Sequence, residues 1–226
     1  MPIICFRIMH LVIIIHYSLF AIKTPLVQMK IPFFSLAFII TFPAMAEQQE
    51  KKHGLVVIHT GDGKGKTTAA LGIAVRAAGY KMKVLILQFV KGSWKYGEIN
   101  GVKMLAPYVE MKQLGKGFVG IIDDKLPFEE HVKKAEEALL EAKQWVEKNE
   151  HRIIILDEIN VALGLRLLKV EQVLDLIKSK PPEMHLVLTG RNAPPELIEA
   201  ADLVTEMKEI KHPYRKGILA QRGIDF

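Results

Sequence analysis

Short apolar runs alternate with segments of helical spacing along most of this chain. Four runs are rich in β-branched residues and too short for helices, so they predict buried strands. They lie at 54–60, 84–89, 152–156 and 185–188. The segments between them have apolar residues every three or four positions and predict helices, one of them with an apolar face that runs from Phe128 to Val146. The other predicted helices lie at 67–78, 170–179 and 194–200, and an edge strand is predicted at 203–210.

Strands that are apolar on both faces and separated by helices are typical of a parallel sheet with helices on each side. We therefore predict a three-layer α/β domain over about residues 50–226. In such sheets the ligand lies at the carboxyl ends of the strands. We expect one site to be formed by the loops after Thr60, Phe89, Leu156 and Leu188.

The first 44 residues differ in composition from the rest of the chain. They contain no acidic residue and hold the single cysteine, Cys5. From Met29 the segment resembles a secretory signal, with a lysine, an apolar stretch and a small-x-small site at 44–46. The alternative is a gene start assigned too far upstream, with the working protein beginning at Met45. We favour this alternative and divide the chain into an N-terminal extension, 1–44, and a domain, 45–226.

The charge balance changes once the extension is set aside. The whole chain has 31 basic and 25 acidic side chains, a formal net charge of +6. Three of the basic residues lie in the extension, so the domain has 28 basic and 25 acidic side chains, a net charge of +3. So small an excess is ordinary for a soluble domain, and we expect no nucleic-acid partner. The single cysteine excludes an intrachain disulfide framework and a thiolate-rich zinc site.

A glycine-rich sequence between the first strand and the first helix has the spacing of a phosphate-binding loop, or P-loop. It reads Gly61-Asp62-Gly63-Lys64-Gly65-Lys66-Thr67-Thr68. Glycines let backbone amides turn around phosphate oxygens, and the helix N-terminus adds favourable partial charge. We expect Lys66 to contact phosphate and Thr67 to hold Mg²⁺. The strict motif has glycine where this chain has Thr60. The alternative interpretation is a strand-to-helix turn that binds no ligand.

Charged residues follow two of the other predicted strands. Asp157 and Glu158 follow the third, and such acids bind Mg²⁺ in P-loop proteins, directly or through water. The alternative for these acids is to cap a helix. Arg191 follows the fourth strand and is a candidate to clamp a phosphate, with an ordinary surface arginine as the alternative.

Basic and aromatic residues alternate after the second strand, over 88–98. Lys91 and Trp94 are candidates to contact a flat ligand. Contacts with single-stranded nucleic acid and plain packing are the alternatives.

The eight histidines form no metal-ligand pattern. His59 is expected in the core of the first strand, whereas His131 and His151 are expected at solvated positions of helices. His212 lies in a basic segment, and its sequence context does not choose between a surface and a site position.

Seven motifs occur in order along the chain. They are 60–68, 89–94 with Gly97-Glu98, 156–158, 189–191, Ala201-Asp202, Lys211-His212 and the ending 217–226. Through these motifs the chain resembles the P-loop type of ATP:corrinoid adenosyltransferases over about residues 54–226. The resemblance is specific because that family also carries threonine at the position of Thr60.

The resemblance implies a P-loop NTPase-like fold with a mostly parallel sheet, and a reaction. Such enzymes transfer the 5′-deoxyadenosyl group of ATP to Co(I) of a corrinoid and release triphosphate, in cobalamin synthesis and salvage. A reduced flavoprotein supplies the electron that makes Co(I). In the family the nucleotide lies reversed on the P-loop, so that C5′ rather than the γ-phosphate faces the acceptor.

The resemblance implies that Gly61 to Thr67 hold the triphosphate, that Lys66 neutralises it, and that Thr67 and Glu158 hold a divalent metal. Combined with the residues singled out above, it gives the predicted site. Catalysis is assigned to Lys66, Phe118 and Arg191. Ligand binding is assigned to Gly61, Asp62, Gly63, Lys64, Gly65, Lys66, Thr67 and Thr68, with Lys91 and Trp94. A divalent metal, Mg²⁺ or Mn²⁺, is assigned to Thr67, Asp157 and Glu158.

One loop departs from the family pattern. Family members commonly carry Gly-Phe-Thr-Trp over the corrinoid, where the aromatic rings help to displace the lower ligand of cobalt. This chain has Gly117-Phe118-Val119-Gly120, so the phenylalanine is kept and the tryptophan is not. The difference leaves open how four-coordinate cobalt is stabilised and which corrinoid is preferred. The alternative role for Phe118 is packing on the sheet.

Two other functions remain as alternatives. One is a P-loop ATPase or kinase that yields ADP, and the other is a nucleic-acid-binding ATPase, against which the small net charge argues. Because ATP and a strong reductant are both found in the cytoplasm, we expect a cytoplasmic protein without stable membrane association. Family members are commonly dimeric, so the resemblance also implies a homodimer.

Overall fold

The computed structural model describes residues 53–90, 96–115, 117 and 127–225. They all fall within one unit, Gln49–Phe226. The predicted ligand-binding residues Lys91 and Trp94 and the predicted catalytic residue Phe118 lie outside the described residues, as does the N-terminal extension. The division of the chain at residue 44 therefore stays a prediction.

The described strands form a six-stranded sheet in which every neighbouring pair is parallel. In chain order they are β1 (Val56–Thr60), β2 (Val84–Gln88), β3 (Val109–Gln113), β4 (Ile153–Asp157), β5 (His185–Thr189) and β6 (Leu203–Glu206). Their order across the sheet is β3-β2-β4-β5-β1-β6. The strands β2 and β4 are buried along their whole length because helices cover both faces of the sheet.

The described helices lie on two sides of this sheet. They are α1 (Lys66–Gly79), α2 (Gly97–Lys103), α3 (Phe128–Lys148), α4 (Ile159–Gly164), α5 (Val170–Ser179), α6 (Pro195–Ala200) and a 3₁₀ helix (Pro213–Lys216). Buried alanines of α1 pack against Ile86 and Ile155 on one face. Apolar residues of α3, α4, α5 and α6 pack with Leu87 and Ile154 on the other. The predicted three-layer α/β fold is therefore confirmed.

Because of the strand register, four of the strands end next to one another. His59 of β1 lies opposite Thr189, the last residue of β5. Gln88, the last residue of β2, lies opposite Asp157, the last residue of β4. We call the line formed by the last residues of β1, β2, β4 and β5 the carboxyl edge. The loops that leave it are those for which the sequence predicts a common site.

Three elements were not predicted from the sequence, namely α2, β3 and α4. The strand β3 reads Val-Glu-Met-Lys-Gln and pairs with β2 on one side, so it lacks the apolar run that marks a buried strand. The helices α2 and α4 have seven and six residues, too few to show a helical period. The predicted edge strand at 203–210 is present as β6, but it ends at Glu206.

Three side-chain predictions were wrong. Phe128, predicted on the apolar face of α3, is 48% exposed, because it is the first residue of the helix and precedes the turn that packs on the sheet. His131 was predicted to be solvated and is buried on the inner face of α3. His151 is also buried, in the loop before β4, with its ring edge-on to Trp145 at 5.3 Å between centroids. His59 is buried in β1 as predicted.

No helix in the part of the chain that the structure describes combines the length and the apolar character needed to span a bilayer.

Candidate active site

A cleft of about 910 Å³ opens above the carboxyl edge. The loops after β1, β2, β4 and β5 all contribute to its walls, which confirms that they converge on one site. The C-terminal residues of the described chain reach it as well. Residues that line the cleft include Lys64–Thr68, Tyr96–Glu98, Glu158, Arg191 and Gly223–Asp225.

Lys66 begins α1, and its ammonium group lies inside the P-loop. Its Nζ donates hydrogen bonds to the backbone oxygens of Gly61 and Gly63, each at 2.7 Å. Burial lowers the pKa of Lys66, while the negative charge of Glu158 acts in the opposite direction. A buried ammonium group held by neutral carbonyls gains strongly from an anion, since charge-assisted hydrogen bonds are stronger than neutral ones. The loop is therefore suited to bind a phosphate.

The glycines of the P-loop are required by their backbone and by their surroundings. Gly61 and Gly65 have φ values of +93° and +112°, in the region that favours glycine. A Cβ atom on Gly61 would lie 2.5 Å from the carbonyl oxygen of Met207, and one on Gly63 would lie 2.7 Å from the same oxygen. The amide of Gly63 also donates a hydrogen bond to that oxygen at 2.6 Å. The segment after β6 thus packs directly against the P-loop.

Thr60 stands where the strict motif has glycine, and it is buried at the end of β1. Its Oγ1 accepts a hydrogen bond from the backbone amide of Ala193 at 3.1 Å. Its carbonyl oxygen accepts one from the amide of Met207 at 2.8 Å. The threonine therefore joins the start of the P-loop to the loop after β5 and to the segment after β6.

Asp157 is fully buried at the end of β4 and accepts hydrogen bonds from three side chains. Thr67 and Thr189 each donate a hydroxyl to Oδ1 at 2.8 Å. Gln88 donates its amide to Oδ2 at 3.0 Å. Asp157 therefore lies behind Thr67 as seen from the cleft and fixes the direction of the Thr67 hydroxyl.

Glu158 follows Asp157 and lines the cleft. Its φ of 64° is left-handed, which is unusual for a residue other than glycine. Helix α4 begins immediately after it, and the Glu158 side chain makes no capping hydrogen bond. The alternative role predicted for these acids, a side-chain cap at a helix N-terminus, is thus not supported for Glu158. Its carboxylate is close enough to Lys66 to influence the pKa of that lysine.

Arg191 lies in the loop after β5, at the cleft wall. Lys66 and Arg191 both line this cleft, and beside burial the positive charge of Arg191 contributes to the lowered pKa of Lys66. Arg191 also lines a second cleft of about 550 Å³, whose other residues are of mixed charge. The preceding Gly190 has a φ of +129°, and a Cβ atom there would lie 2.9 Å from the amide nitrogen of Val161 in α4.

The sequence did not point to three of the residues that shape the cleft. Gln88 is the one polar residue of β2, and that was its single sequence signal. Thr189 belongs to a motif already noted, but nothing local to it shows that it faces Asp157. Asp225 forms an ion pair with Lys64 of the P-loop, which lowers the pKa of the Asp225 carboxyl. Neither residue of that pair predicts the other, because 161 positions separate them.

The geometry defines the class of protein. A glycine-rich loop joins a buried strand to a helix N-terminus, its lysine lies within the loop, and its threonine bonds to an acid at the end of another strand. This arrangement is that of a P-loop nucleotide-binding protein.

Comparison with known families then places the chain. Residues 52–226 match the family described as ATP:corrinoid adenosyltransferase BtuR/CobO/CobP, and the chain belongs to this family. It is 41% identical over 184 residues to a corrinoid adenosyltransferase of Sinorhizobium sp. The matched region covers 80% of this chain and 84% of that protein. A corrinoid adenosyltransferase of Pseudomonas aeruginosa is 38% identical over 179 residues, covering 79% and 87%. One of Escherichia coli is 33% identical over 184 residues, covering 81% and 91%.

Proposed function

We propose that this chain transfers the 5′-deoxyadenosyl group of ATP to Co(I) of a corrinoid and releases triphosphate. The observation that carries the proposal is the P-loop cleft, with Lys66 and Glu158 facing one volume, in a chain of this family. The reaction forms a bond between cobalt and C5′ with an electron pair from Co(I). The bond between C5′ and its oxygen breaks, and that electron pair leaves with the triphosphate.

The P-loop binds the triphosphate. Its backbone amides, from Gly61 to Thr68, and the N-terminus of α1 provide neutral donors for phosphate oxygens. Lys66 exchanges its two carbonyl partners for phosphate oxygens and neutralises part of the charge. Lys64 and Arg191 add positive charge at the cleft wall. Stabilising the triphosphate favours its departure, since negative charge builds up on it as the C5′–O bond breaks.

Mg²⁺ or Mn²⁺ fits the same cleft. The Thr67 hydroxyl and the Glu158 carboxylate are oxygen ligands of the kind that these ions prefer, and they would hold the ion together with phosphate oxygens of ATP. Asp157 acts through Thr67, because it is buried and accepts the hydrogen bond of that hydroxyl. The ion would neutralise charge on the leaving triphosphate.

The acceptor is itself the nucleophile, so the chain needs no nucleophilic side chain. Its contribution is to bind ATP with C5′ toward the corrinoid, to stabilise the leaving group and to exclude water. By family resemblance Phe118 contacts the corrinoid, whereas Lys91 and Trp94 are proposed to contact a flat ligand because basic and aromatic residues alternate over 88–98. These three assignments rest on sequence alone.

The reaction also sets conditions on partners and location. Co(I) requires a strong one-electron donor, for which we propose a reduced flavoprotein. We place the enzyme in the cytoplasm, where both ATP and that donor are available. A homodimer is proposed on the basis of family resemblance, and no nucleic acid is proposed as a partner because the domain has a net charge of only +3.

The test is a product analysis with the purified full-length chain. ATP, Mg²⁺ and cobalamin that has been chemically reduced to Co(I) are incubated without oxygen. We expect light-sensitive adenosylcobalamin and triphosphate in equal amounts. A parallel reaction without reductant is the control and should form neither product.

The nucleotide product separates this proposal from the alternative. If ADP is the sole nucleotide product, with no adenosylated corrinoid, the chain is a P-loop ATPase or kinase of another kind and the proposal is wrong.

A further inference from the structure

The hydroxyl of Thr189 forms hydrogen bonds with both of the consecutive acidic residues at the end of β4. Thr189 is the last residue of β5, next to β4 in the sheet, and it is fully buried. Its hydroxyl donates a hydrogen bond to Oδ1 of Asp157 at 2.8 Å. The hydroxyl oxygen of Thr189 also accepts a hydrogen bond from the backbone amide of Glu158 at 2.9 Å. A single hydroxyl thus holds two consecutive residues of the candidate metal site.

The backbone of Glu158 needs such support. A left-handed conformation is strained for a residue other than glycine, and it persists where surrounding contacts hold it. On its carbonyl side Glu158 is held by the amides of Val161 and Ala162, each at 3.1 Å from its oxygen. On its amide side the hydrogen bond is the one to Thr189. The left-handed conformation is therefore fixed from both ends, and it sets the direction in which the side chain leaves the backbone.

The packing around Thr189 leaves little room for adjustment. The next residue, Gly190, lies so close to α4 that a Cβ atom would come within 3.0 Å of two atoms, one in Val161 and one in Asn160. The last residues of β5 are thus in direct contact with the helix that Glu158 begins. A β-branched side chain such as Thr189 also has few rotamers, so its hydroxyl is held in one direction.

We propose that Thr189 is a positioning residue that directs the Glu158 carboxylate toward the metal bound with ATP. This inference rests on the proposed function, because it assumes that Glu158 binds that metal. Thr189 would touch neither substrate nor metal. It would act by holding the left-handed backbone of Glu158, and its hydrogen bond to Asp157 keeps the hydroxyl in the direction that this requires.

The test separates metal-dependent from metal-independent binding of ATP. Calorimetric titrations of the full-length chain measure the affinity for ATP with Mn²⁺ and for ATP with a chelator. We expect Thr189→Val to weaken binding of Mn²⁺–ATP by about 10- to 100-fold, as is typical of residues that orient metal ligands. Its affinity for metal-free ATP should stay within about twofold of the wild-type value, since the P-loop is unchanged.

Two variants show whether the hydroxyl is responsible. Thr189→Ser keeps the hydroxyl and should bind Mn²⁺–ATP within about threefold of the wild-type chain. Thr205→Val, in the exposed strand β6, is the matched control and should change neither affinity. Thr189→Ala removes the hydroxyl without adding bulk, and it replaces Thr189→Val in the series if thermal unfolding shows that the valine variant does not fold.

A double-mutant cycle with Glu158→Gln tests the route of the effect. If Thr189 acts through Glu158, Thr189→Val should weaken Mn²⁺–ATP binding by less than about twofold in the Glu158→Gln background. An equal loss in both backgrounds overturns the inference, and so does a serine variant that behaves like the valine variant.

The two proposals fail in different ways. If wild-type protein binds ATP no more tightly with Mn²⁺ than without it, the proposed metal site is wrong and this inference falls with it. If wild-type protein shows the metal-dependent gain and Thr189→Val shows the same gain, only the role of Thr189 is wrong.

Discussion

The two ends of the β-sheet hold their buried polar groups in different ways. At the amino ends of the strands, the amide of Val56 donates to Oδ2 of Asp202 at 2.7 Å, and the amide of Leu55 donates to Nδ1 of His185 at 3.1 Å. Lys180 donates to the carbonyl oxygen of Gly54 at 2.8 Å. These contacts complete the hydrogen bonding of strand starts, and they face no cleft that we identify among the described residues.

At the carboxyl edge charged groups line the cleft. Lys66 is held by carbonyls of its own loop, and Glu158 has a left-handed backbone at the cleft wall. The named side chains also differ in burial: Lys66 is buried at the carboxyl edge, whereas Lys180 and His185 are half-buried and Asp202 is exposed at the amino ends. The difference is that one end satisfies its polar groups internally, whereas the other presents charge to a volume large enough for a ligand. Substitutions should therefore cost stability at the first end and activity at the second.

The largest effect on activity is expected for Lys66, with Lys180 at the opposite end of the sheet as the matched comparison. Lys66→Ala removes the cation of the P-loop and should lower kcat/KM for ATP by at least about 10²- to 10³-fold, with the fold intact. Lys180→Ala removes a lysine at the opposite end whose pKa is also lowered by burial. It should leave kcat/KM within about twofold and cost about 1 kcal/mol in the free energy of unfolding. Steady-state kinetics and urea unfolding measure both quantities, and near-normal activity of Lys66→Ala would contradict the role of the P-loop.

Glu158→Gln should have the next largest effect on activity. The amide keeps the shape of the side chain but loses the charge that a divalent metal requires. We expect the metal concentration for half-maximal activity to rise by about 10- to 100-fold. Thermal unfolding should be unchanged, because the side chain makes no cap for α4. A metal titration of the reaction rate is the measurement, and an unchanged metal requirement would remove Glu158 from the metal site.

Asp202→Ala should give the opposite result. It leaves the amide of Val56 without its carboxylate partner at the start of a buried strand. We expect a loss of about 1–2 kcal/mol in the free energy of unfolding, with kcat/KM unchanged for the folded protein. The control is Asp175→Ala in α5, an exposed acid whose removal should cost almost nothing. Loss of activity without loss of stability in Asp202→Ala would break the distinction between the two ends.

The smallest effect is expected from pH. Burial lowers the pKa values of His59, His151 and His185 below the ordinary value for histidine, about 6.5, so the unfolded chain binds protons more readily than the folded one. Stability from these groups is therefore present above pH 6.5 and is lost as pH falls below it. Urea unfolding at pH 7.5 and pH 5.5 should show this loss. His151→Phe should reduce it, because burial of the ring outweighs the carboxylate of Glu110, which lies 3.8 Å from Nε2, and keeps the pKa of His151 low. An unchanged pH dependence in that variant would show that His151 does not contribute.

Most of the central strands and helices could be predicted because their apolar residues follow a regular pattern along the sequence. The buried strands β2 and β4 are apolar at nearly every position, and the helix at 170–179 was predicted with the bounds that the structure has. Prediction failed for elements whose character depends on neighbours. The strand β3 reads as mixed polar and apolar because it lies at the sheet edge, and His151 is buried by Trp145 rather than by its own sequence context.

The P-loop could be recognised from the chain alone because all of its parts are local. The glycines, Lys66 and the start of α1 are consecutive, so the geometry that suits phosphate follows from adjacent residues. The acids at 157–158 could be recognised for the same reason, since they directly follow an apolar strand. Threonine at position 60 could be noted in the sequence, but its hydrogen bond to Ala193 could not, because 133 positions separate the two residues.

The tertiary structure was needed for every contact that crosses between strands. The adjacency of β4 and β5 brings Thr189 to Asp157 and Glu158, and the adjacency of β1 and β6 brings Met207 against the P-loop. Strand order depends on how the helices cover the two faces of the whole sheet. No single segment of the sequence determines it. Local sequence therefore pointed to the candidate site residues, and the packed sheet established which other residues hold them in place.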